Sequence, residues 1–397
     1  MIKFFYQSIS PEFEIISLYR RLASCGNEII SSGGMQKVLI LTGATGVGKT
    51  ETAIKLARLL NGEIISCDSV QVYKKLDIGS NKTLTTEQAE IPHHLIDIVD
   101  FSFNYTVSDF YKDCNDKIRD ILSRGKVPMI VGGTMFYLEW ILKGKIESPP
   151  KDELIRKKVL GFFEQDADWN TSLKRLESLD PLYAQKLCRN DYFRLERALC
   201  VVLQTGKPLT SFLPVKPEDY DFRCFYLTQD RERLYRKIET RCEEMIRKGL
   251  IEEVYALMKT GFQETLASKA IGYAATINFI RNFDDTIESI EEYLCTFKTN
   301  TRNYCRRQDQ YFRKNKEYKW LAKDDNTVRK IFNLFKMNLQ EFESEVHHED
   351  TQLRQVSLNL QDRMKTYIPY QTTLDLESLR NQVKEMIFQN QCEINKS

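Results

Sequence analysis

The stretch LTGATGVGKTETA, residues 41–53, carries a glycine, four intervening residues, and then glycine, lysine and threonine. These are Gly43, then Ala44, Thr45, Gly46 and Val47, then Gly48, Lys49 and Thr50. Glycines let successive backbone N–H groups turn toward one anion, a lysine adds a point charge, and a threonine hydroxyl suits Mg²⁺. The flanks agree with that reading. KVLILT before it is a short apolar run fit for a buried strand, and KTETAIKLARLL after it sets Ala53, Leu56, Ala57 and Leu60 at helical spacing. Strand, loop and helix in that order predict a phosphate-binding P-loop. Most such loops hold ATP or GTP, so whose phosphate this one holds has to be read elsewhere in the chain.

At 397 residues the chain is long enough for two or three cores. A formal charge of only +2 gives no global field for nucleic acid, so any basic patch is local. No apolar run approaches the ~18–20 residues that span a bilayer. The ten cysteines stand singly and the histidines form two adjacent pairs, which fits reduced, buried thiols better than zinc. Residues 1–36 read as an extension. Arg20-Arg21 and the serines suggest a transit peptide, Glu12, Glu14 and Glu28 argue against one, and Met35 offers a second start. A cytoplasmic or mitochondrial protein is expected.

Residues 37–150 alternate strand-like runs (EIISC, VPMIVGG) with a helix whose face is Val107, Phe110, Cys114, Ile118 and Ile121. The alternation predicts an α/β core, a parallel sheet with helices on both faces. ESPPKDE breaks it and opens a charged helical segment, so 151–220 reads as an insertion. FRCFYLT then returns the chain to the sheet. Residues 221–322 complete the core, helical from 231 to about 315, and 323–397 form a polar tail.

Three features carry chemistry. The run VPMIVGG ends in glycines where a nucleoside triphosphatase would place a carboxylate, which leaves Asp68, after EIISC, as the well-placed acid. It reads as a turn cap, a metal-serving residue, or a general base at the carboxyl edge of the sheet. Arg241 lies on the apolar stripe of Leu234, Ile238 and Met245. An inward arginine needs an anion, either a buried carboxylate or a diphosphate. Finally, Lys298, Arg302, Arg306 and Arg313 fall near one helical face among Tyr304, Tyr311, Phe312 and Trp320. That is a solvated face or a nucleic-acid contact. Arg194 and Arg197 make a similar pair in the insertion.

The blocks GATGVGKT, EIISCDSVQVYKKLDIGSNK, IPHHLIDI, SDF, VPMIVGGTMFY, FRLERAL, AIGY and TRNYCRRQ follow one another as in tRNA dimethylallyltransferases, also called tRNA isopentenyltransferases. Over roughly residues 37–315 the chain resembles that family. The resemblance implies that the loop Gly43–Thr50 holds the diphosphate of dimethylallyl diphosphate. The acceptor is then N6 of the adenosine just 3′ of the anticodon, taken out of its stack. It implies Asp68 as general base, Thr134 near the reacting groups, Arg241 on the leaving diphosphate, and Lys49 and Thr50 on that group with Mg²⁺. It implies tRNA contacts at Asp68, Ser69, Val70 and Gln71, and at Phe193, Arg194 and Arg197 of a helical tRNA-binding insertion. Arg156 matches a further site position, Arg302 and Arg306 would extend the tRNA surface, and a monomer is expected. The chain departs from the family at Phe193, often glutamine, at Ala274, often lysine, and at Ser80, in GSNK for the usual GTAK. Its tail lacks the cysteine–histidine spacing of the zinc finger that many eukaryotic members carry. Three other readings are a prenyltransferase of free adenine nucleotides, a P-loop kinase of small molecules, and a non-catalytic RNA-binding module.

Overall fold

The computed structural model describes residues 35–82, 90–215, 219–345, 348–363 and 367–394. The N-terminal extension lies outside them up to residue 34. Strands β1 (Lys37–Gly43), β2 (Gly62–Cys67), β3 (His93–His94), β4 (Val127–Gly132), β7 (Asp221–Thr228) and β8 (Lys319–Ala322) form one sheet in the order β3-β2-β4-β1-β7-β8. Every neighbouring pair is parallel. All residues of β2 and β4 are buried, which is why those strands read as unbroken apolar runs. The expected parallel α/β core is therefore present.

Parallel strands send all their carboxyl ends to one edge, where such sheets bind ligands. There β1 runs into the P-loop, β2 into Asp68, β4 into Gly133 and Thr134, and β7 into Asp230. The strand ends approach so closely that two glycines are required. A Cβ on Gly132 would stand 2.1 Å from the Cys67 carbonyl oxygen. One on Gly43 would stand 2.6 Å from that of Leu227.

Around this sheet lie α1 (Lys49–Leu60), α2 (Val107–Ser123) and the start of α3 (Met135–Lys143). Thr106 and Asp109 form a capping box that fixes the start of α2. The chain divides by contacts into two units, Glu139–Asp219 and the remainder. The smaller holds α4 (Glu153–Gln165), α5 (Trp169–Glu177), α6 (Pro181–Ala184) and α7 (Tyr192–Thr205). They pack on Val159, Trp169, Leu176, Leu195 and Leu199. Asp152, Asp168, Asp180 and Asp191 cap the four starts. A short antiparallel pair, β5 (Lys145–Ile146) and β6 (Pro214–Val215), joins its two ends.

Past β7 come α8 (Arg231–Arg247), α9 (Leu250–Met258), α10 (Ile271–Asn282) and the long α11 (Ile287–Lys314). Then follow β8, α12 (Thr327–Lys336), α13 (Leu339–Ser344), α14 (His348–Arg363) and α15 (Leu376–Ile394). The tail is built into the core: α12 packs on α1, α14 on β8, and α15 on α11. Asp350 of α14 accepts from Trp320 N at 3.1 Å. Arg354 donates to the carbonyls of Arg313 and Asn315. The first contact satisfies an amide of the edge strand and the second satisfies carbonyls at the end of α11.

Gly132→Ala is expected to cost about 1–3 kcal/mol or more of unfolding free energy, because backbone on the neighbouring strand must move. Urea denaturation beside the wild type measures it.

Candidate active site

The P-loop is shaped by left-handed backbone at Gly46 (φ 84°) and Gly48 (φ 95°). Lys49 Nζ donates to the carbonyls of Gly43 at 2.9 Å and Ala44 at 3.1 Å. Burial, and next the Arg241 guanidinium, pull the Lys49 ammonium down to about 8, against the opposing pull of Asp68. Arg241 reaches the loop from α8, where one guanidinium nitrogen donates to Thr45 Oγ1 at 2.7 Å. Its Nε is buried with no protein partner. The inward arginine on the apolar stripe thus meets the glycine-rich loop between β1 and α1. Among the described residues it pairs with no carboxylate.

Asp68 begins a tight turn. Its Oδ1 accepts from Val70 N at 2.8 Å and Gln71 N at 3.3 Å, while neither amide binds Oδ2. The turn-cap reading and a chemical role are therefore compatible, one oxygen serving each. Thr134 Oγ1 accepts from Ser69 N at 3.2 Å, and Thr134 N donates to the Cys67 carbonyl at 3.3 Å. The end of β2 and the turn after β4 are thereby tied together. The Gln71 side chain is held internally, accepting from Ser66 Oγ and donating to the Asn81 carbonyl. The nearby Cys67 and Cys305 thiols are pushed up by burial, Cys305 to about 12, so neither is a ready nucleophile.

Thr50 opens α1 with its side chain exposed. Among the described residues no three His, Cys, Asp or Glu side chains cluster as metal ligands.

The basic stripe needs correction. Lys298 is buried and pairs with Glu243 of α8 at 2.6 Å, and Arg302 pairs with Glu239 of the same helix at 2.5 Å. Phe312 and Trp320 are core residues. Arg306 is exposed. Each four-residue step advances about 40° around a helix. The row 298, 302, 306 therefore starts on the buried flank of α11 and reaches solvent only at its end. In the smaller unit, Phe193 is 73% exposed and Arg194 is exposed beside Asp191. Arg156 pairs with Glu196, and Arg197 donates to Ser148 Oγ.

Gln308 closes the block TRNYCRRQ, and the sequence alone assigned it no role. It lies on the buried stripe of α11 with Thr301, Cys305 and Phe312. A polar residue on an apolar stripe is the same signal that singled out Arg241. Its amide accepts from Thr45 N at 2.8 Å and donates to the Gly133 carbonyl at 3.0 Å.

The family model for IPP transferase matches residues 71–315, and that for isopentenyl transferase matches 36–97. The chain is 37% identical over 306 residues to the tRNA dimethylallyltransferase of Protochlamydia amoebophila, covering 75% of this chain and 88% of that one. It is 37% identical over 329 residues to tRNA dimethylallyltransferase 9 of Arabidopsis thaliana, covering 72% and 71%. The crystal structure of the full-length tRNA isopentenylpyrophosphate transferase of Bacillus halodurans superposes with a TM-score of 0.56 at 33% identity, covering 79% of this chain and all of that one.

Lys49 titrates near 8, so its charge is complete below that pH and is lost above it. Affinity for inorganic diphosphate is expected to weaken up to about tenfold between pH 7 and pH 9. In Lys49→Arg that dependence should flatten, because the guanidinium keeps its charge. Isothermal titration of both proteins across this range checks it, since the ligand's own ionisation is common to both.

Proposed function

The chain belongs to the IPP transferase family, and on that premise we propose that it transfers the dimethylallyl group of dimethylallyl diphosphate to N6 of the adenosine 3′ of the anticodon in tRNA. The bond from C1 to the diphosphate oxygen breaks and its electron pair leaves with diphosphate. A C1–N6 bond forms, and one N6 proton is lost. The observation that carries this reading is Arg241, a cation brought into the P-loop whose Nε has no protein partner. A cation so placed suits an anion arriving from outside.

In this reading the P-loop amides, Lys49 and Arg241 bind the diphosphate and stabilise its charge as it departs. The exocyclic amine is a weak nucleophile because its lone pair is delocalised into the ring. Asp68, through the oxygen its turn leaves free, accepts the proton as the bond forms. Thr134 holds the Asp68 turn through Ser69 N. Mg²⁺ fits this donor set. It keeps mainly substrate oxygens and water with few protein ligands, and the exposed Thr50 hydroxyl would supply one. When bound, it would neutralise charge on the leaving group.

In this proposal Ser69 and Val70 of the core unit are tRNA contacts, and Phe193, Arg194, Arg197 and Arg156 are tRNA contacts of the smaller unit taken by itself. Arg306 is a further contact of the core unit, and Arg302 acts in the fold. Mass spectrometry of nucleosides from tRNA incubated with protein, Mg²⁺ and dimethylallyl diphosphate tests the reaction. Isopentenyladenosine is the expected product. AMP prenylated in preference to an anticodon stem-loop would favour the free-nucleotide reading instead.

Asp68→Asn is expected to slow single-turnover transfer by ~10²–10⁴-fold while donor affinity persists. Unchanged turnover would remove Asp68 from the proton path.

Arg306→Ala should weaken stem-loop binding and lower its log–log salt slope by about 0.7–0.9, the share of one phosphate contact. Arg302→Ala should instead cost about 3–5 kcal/mol of stability, because the buried Glu239 carboxylate loses its cation. Filter binding at several salt concentrations and urea denaturation separate the two.

A further inference from the structure

Gln308 is 1% exposed and has no part in the binding and proton transfer set out above. Its carboxamide is shared between two loops, with Oε1 accepting from Thr45 N and Nε2 donating to the Gly133 carbonyl. That orientation is forced, because a backbone N–H only donates and a carbonyl only accepts. Thr45 is the P-loop residue whose hydroxyl receives Arg241. Gly133 directly precedes Thr134, whose hydroxyl holds the turn that begins at Asp68. The fit is close: a Cβ on Gly133 would stand 2.3 Å from Gln308 Nε2. Tyr304, one helical turn earlier, donates to the same Gly133 oxygen at 3.2 Å.

We infer that Gln308 is a positioning residue for the transfer: its amide sets the separation between the loop that holds the diphosphate and the loop that fixes the Asp68 turn. The inference rests on the reaction proposed above and gives it a further part. Prenyl transfer needs the departing carbon and the accepting nitrogen at near-contact distance, and a displacement of about 1 Å costs about 10²-fold in rate. One amide bonded to both loops removes that freedom. Gln308 itself touches neither substrate.

The chemistry of the amide supplies a test that packing alone cannot imitate. In Gln308→Leu the volume is kept and both hydrogen bonds are lost. In Gln308→Glu the shape is kept and the bonding depends on protonation. The neutral acid donates its hydroxyl to the Gly133 carbonyl and accepts from Thr45 N–H. The ionised acid has no donor and sets an oxygen against the Gly133 oxygen. The charged groups on the elements it joins are Lys49 and Arg241 at the P-loop, Asp68 beyond the Gly133 loop, and Asp309 beside it on α11. Dividing each rate by the wild-type rate at the same pH cancels their titration where it is common to both proteins.

The experiment is single-turnover transfer from dimethylallyl diphosphate to an anticodon stem-loop by full-length wild type, Gln308→Leu and Gln308→Glu. The pH runs from about 5.5 to about 8.5, spanning the titration of a carboxyl group raised by burial. Melting temperatures and donor KM are measured alongside. Wild-type product comes first, and its absence overturns the reaction and this inference together. Given an active wild type, both variants should lose about 10²-fold in kcat at the high end of the range, with little change in donor KM. Toward the low end the ratio for Gln308→Glu should rise about tenfold or more, following its protonation, while that for Gln308→Leu stays flat. Flat ratios for both variants, or near wild-type kcat in Gln308→Leu, overturn the role. If Gln308→Leu does not fold, the pH dependence of Gln308→Glu decides alone. Failure of both to fold marks Gln308 as a structural residue and overturns the inference.

Discussion

Asp309 holds the reaction edge together. It is 3% exposed, and its two oxygens take the Tyr226 hydroxyl from β7 and the Arg231 guanidinium from the first turn of α8. Burial pushes its carboxyl up in pKa, and Arg231 pulls it back down. Burial likewise pushes the Tyr226 phenol up, so it stays a donor. A carboxylate in this position is costly unless both oxygens are satisfied, and they are satisfied only when three elements meet in one arrangement. The strand beside β1, the helix that delivers Arg241, and the helix that delivers Gln308 are therefore located by one side chain. Removing either cation or phenol leaves the others facing an unpaired group.

From that anchor the site divides by charge. On one side, Lys49 and Arg241 crowd one loop, and after burial Arg241 is the largest influence that makes the Lys49 charge costly. In the proposed reaction a diphosphate would relieve both at once, its full negative charge replacing the carbonyl dipoles of Gly43 and Ala44 as the partner of Lys49. On the other side, Asp68 is held by backbone amides of its own turn, with Thr134 steadying the next residue. A donor side rich in cations beside an acceptor side with one carboxylate suits a reaction in which an anion leaves and a proton is taken up.

Much of this was legible in the sequence, for definite physical reasons. The strand, glycine turn and helix of residues 37–60 are contiguous, so their own periodicities suffice to read that unit. Arg241 was legible because a charge on an apolar stripe is an anomaly whoever its partner is. The fate of Lys298 and Arg302 was not legible, because Glu243 and Glu239 sit on α8, over fifty residues earlier, and no periodicity within α11 names them. Gln308 escaped for a different reason. An uncharged amide raises no electrostatic alarm, and its partners are backbone atoms of two distant loops. The strand β8 was missed because it is four residues long and draws its support from β7 on one side and from Asp350 on the other.

The tail belongs to the same logic. Glu239 and Glu243 bind cations of α11 and also accept from backbone amides beyond α14, Tyr370 N at 3.0 Å and Thr373 N at 3.1 Å. In Glu239 one oxygen meets a charge and the other a backbone amide, while in Glu243 the oxygen that takes Thr373 N also pairs with Arg247 of the same helix. Both lie on α8, flanking Arg241 by two residues on either side. Residues two apart on a helix point about 200° away from one another, so both carboxylates face α11 and the tail while Arg241 faces the loop after β1. Lys298, Arg302 and the tail amides thereby fix the far side of α8, and with it the position from which Arg241 reaches Thr45.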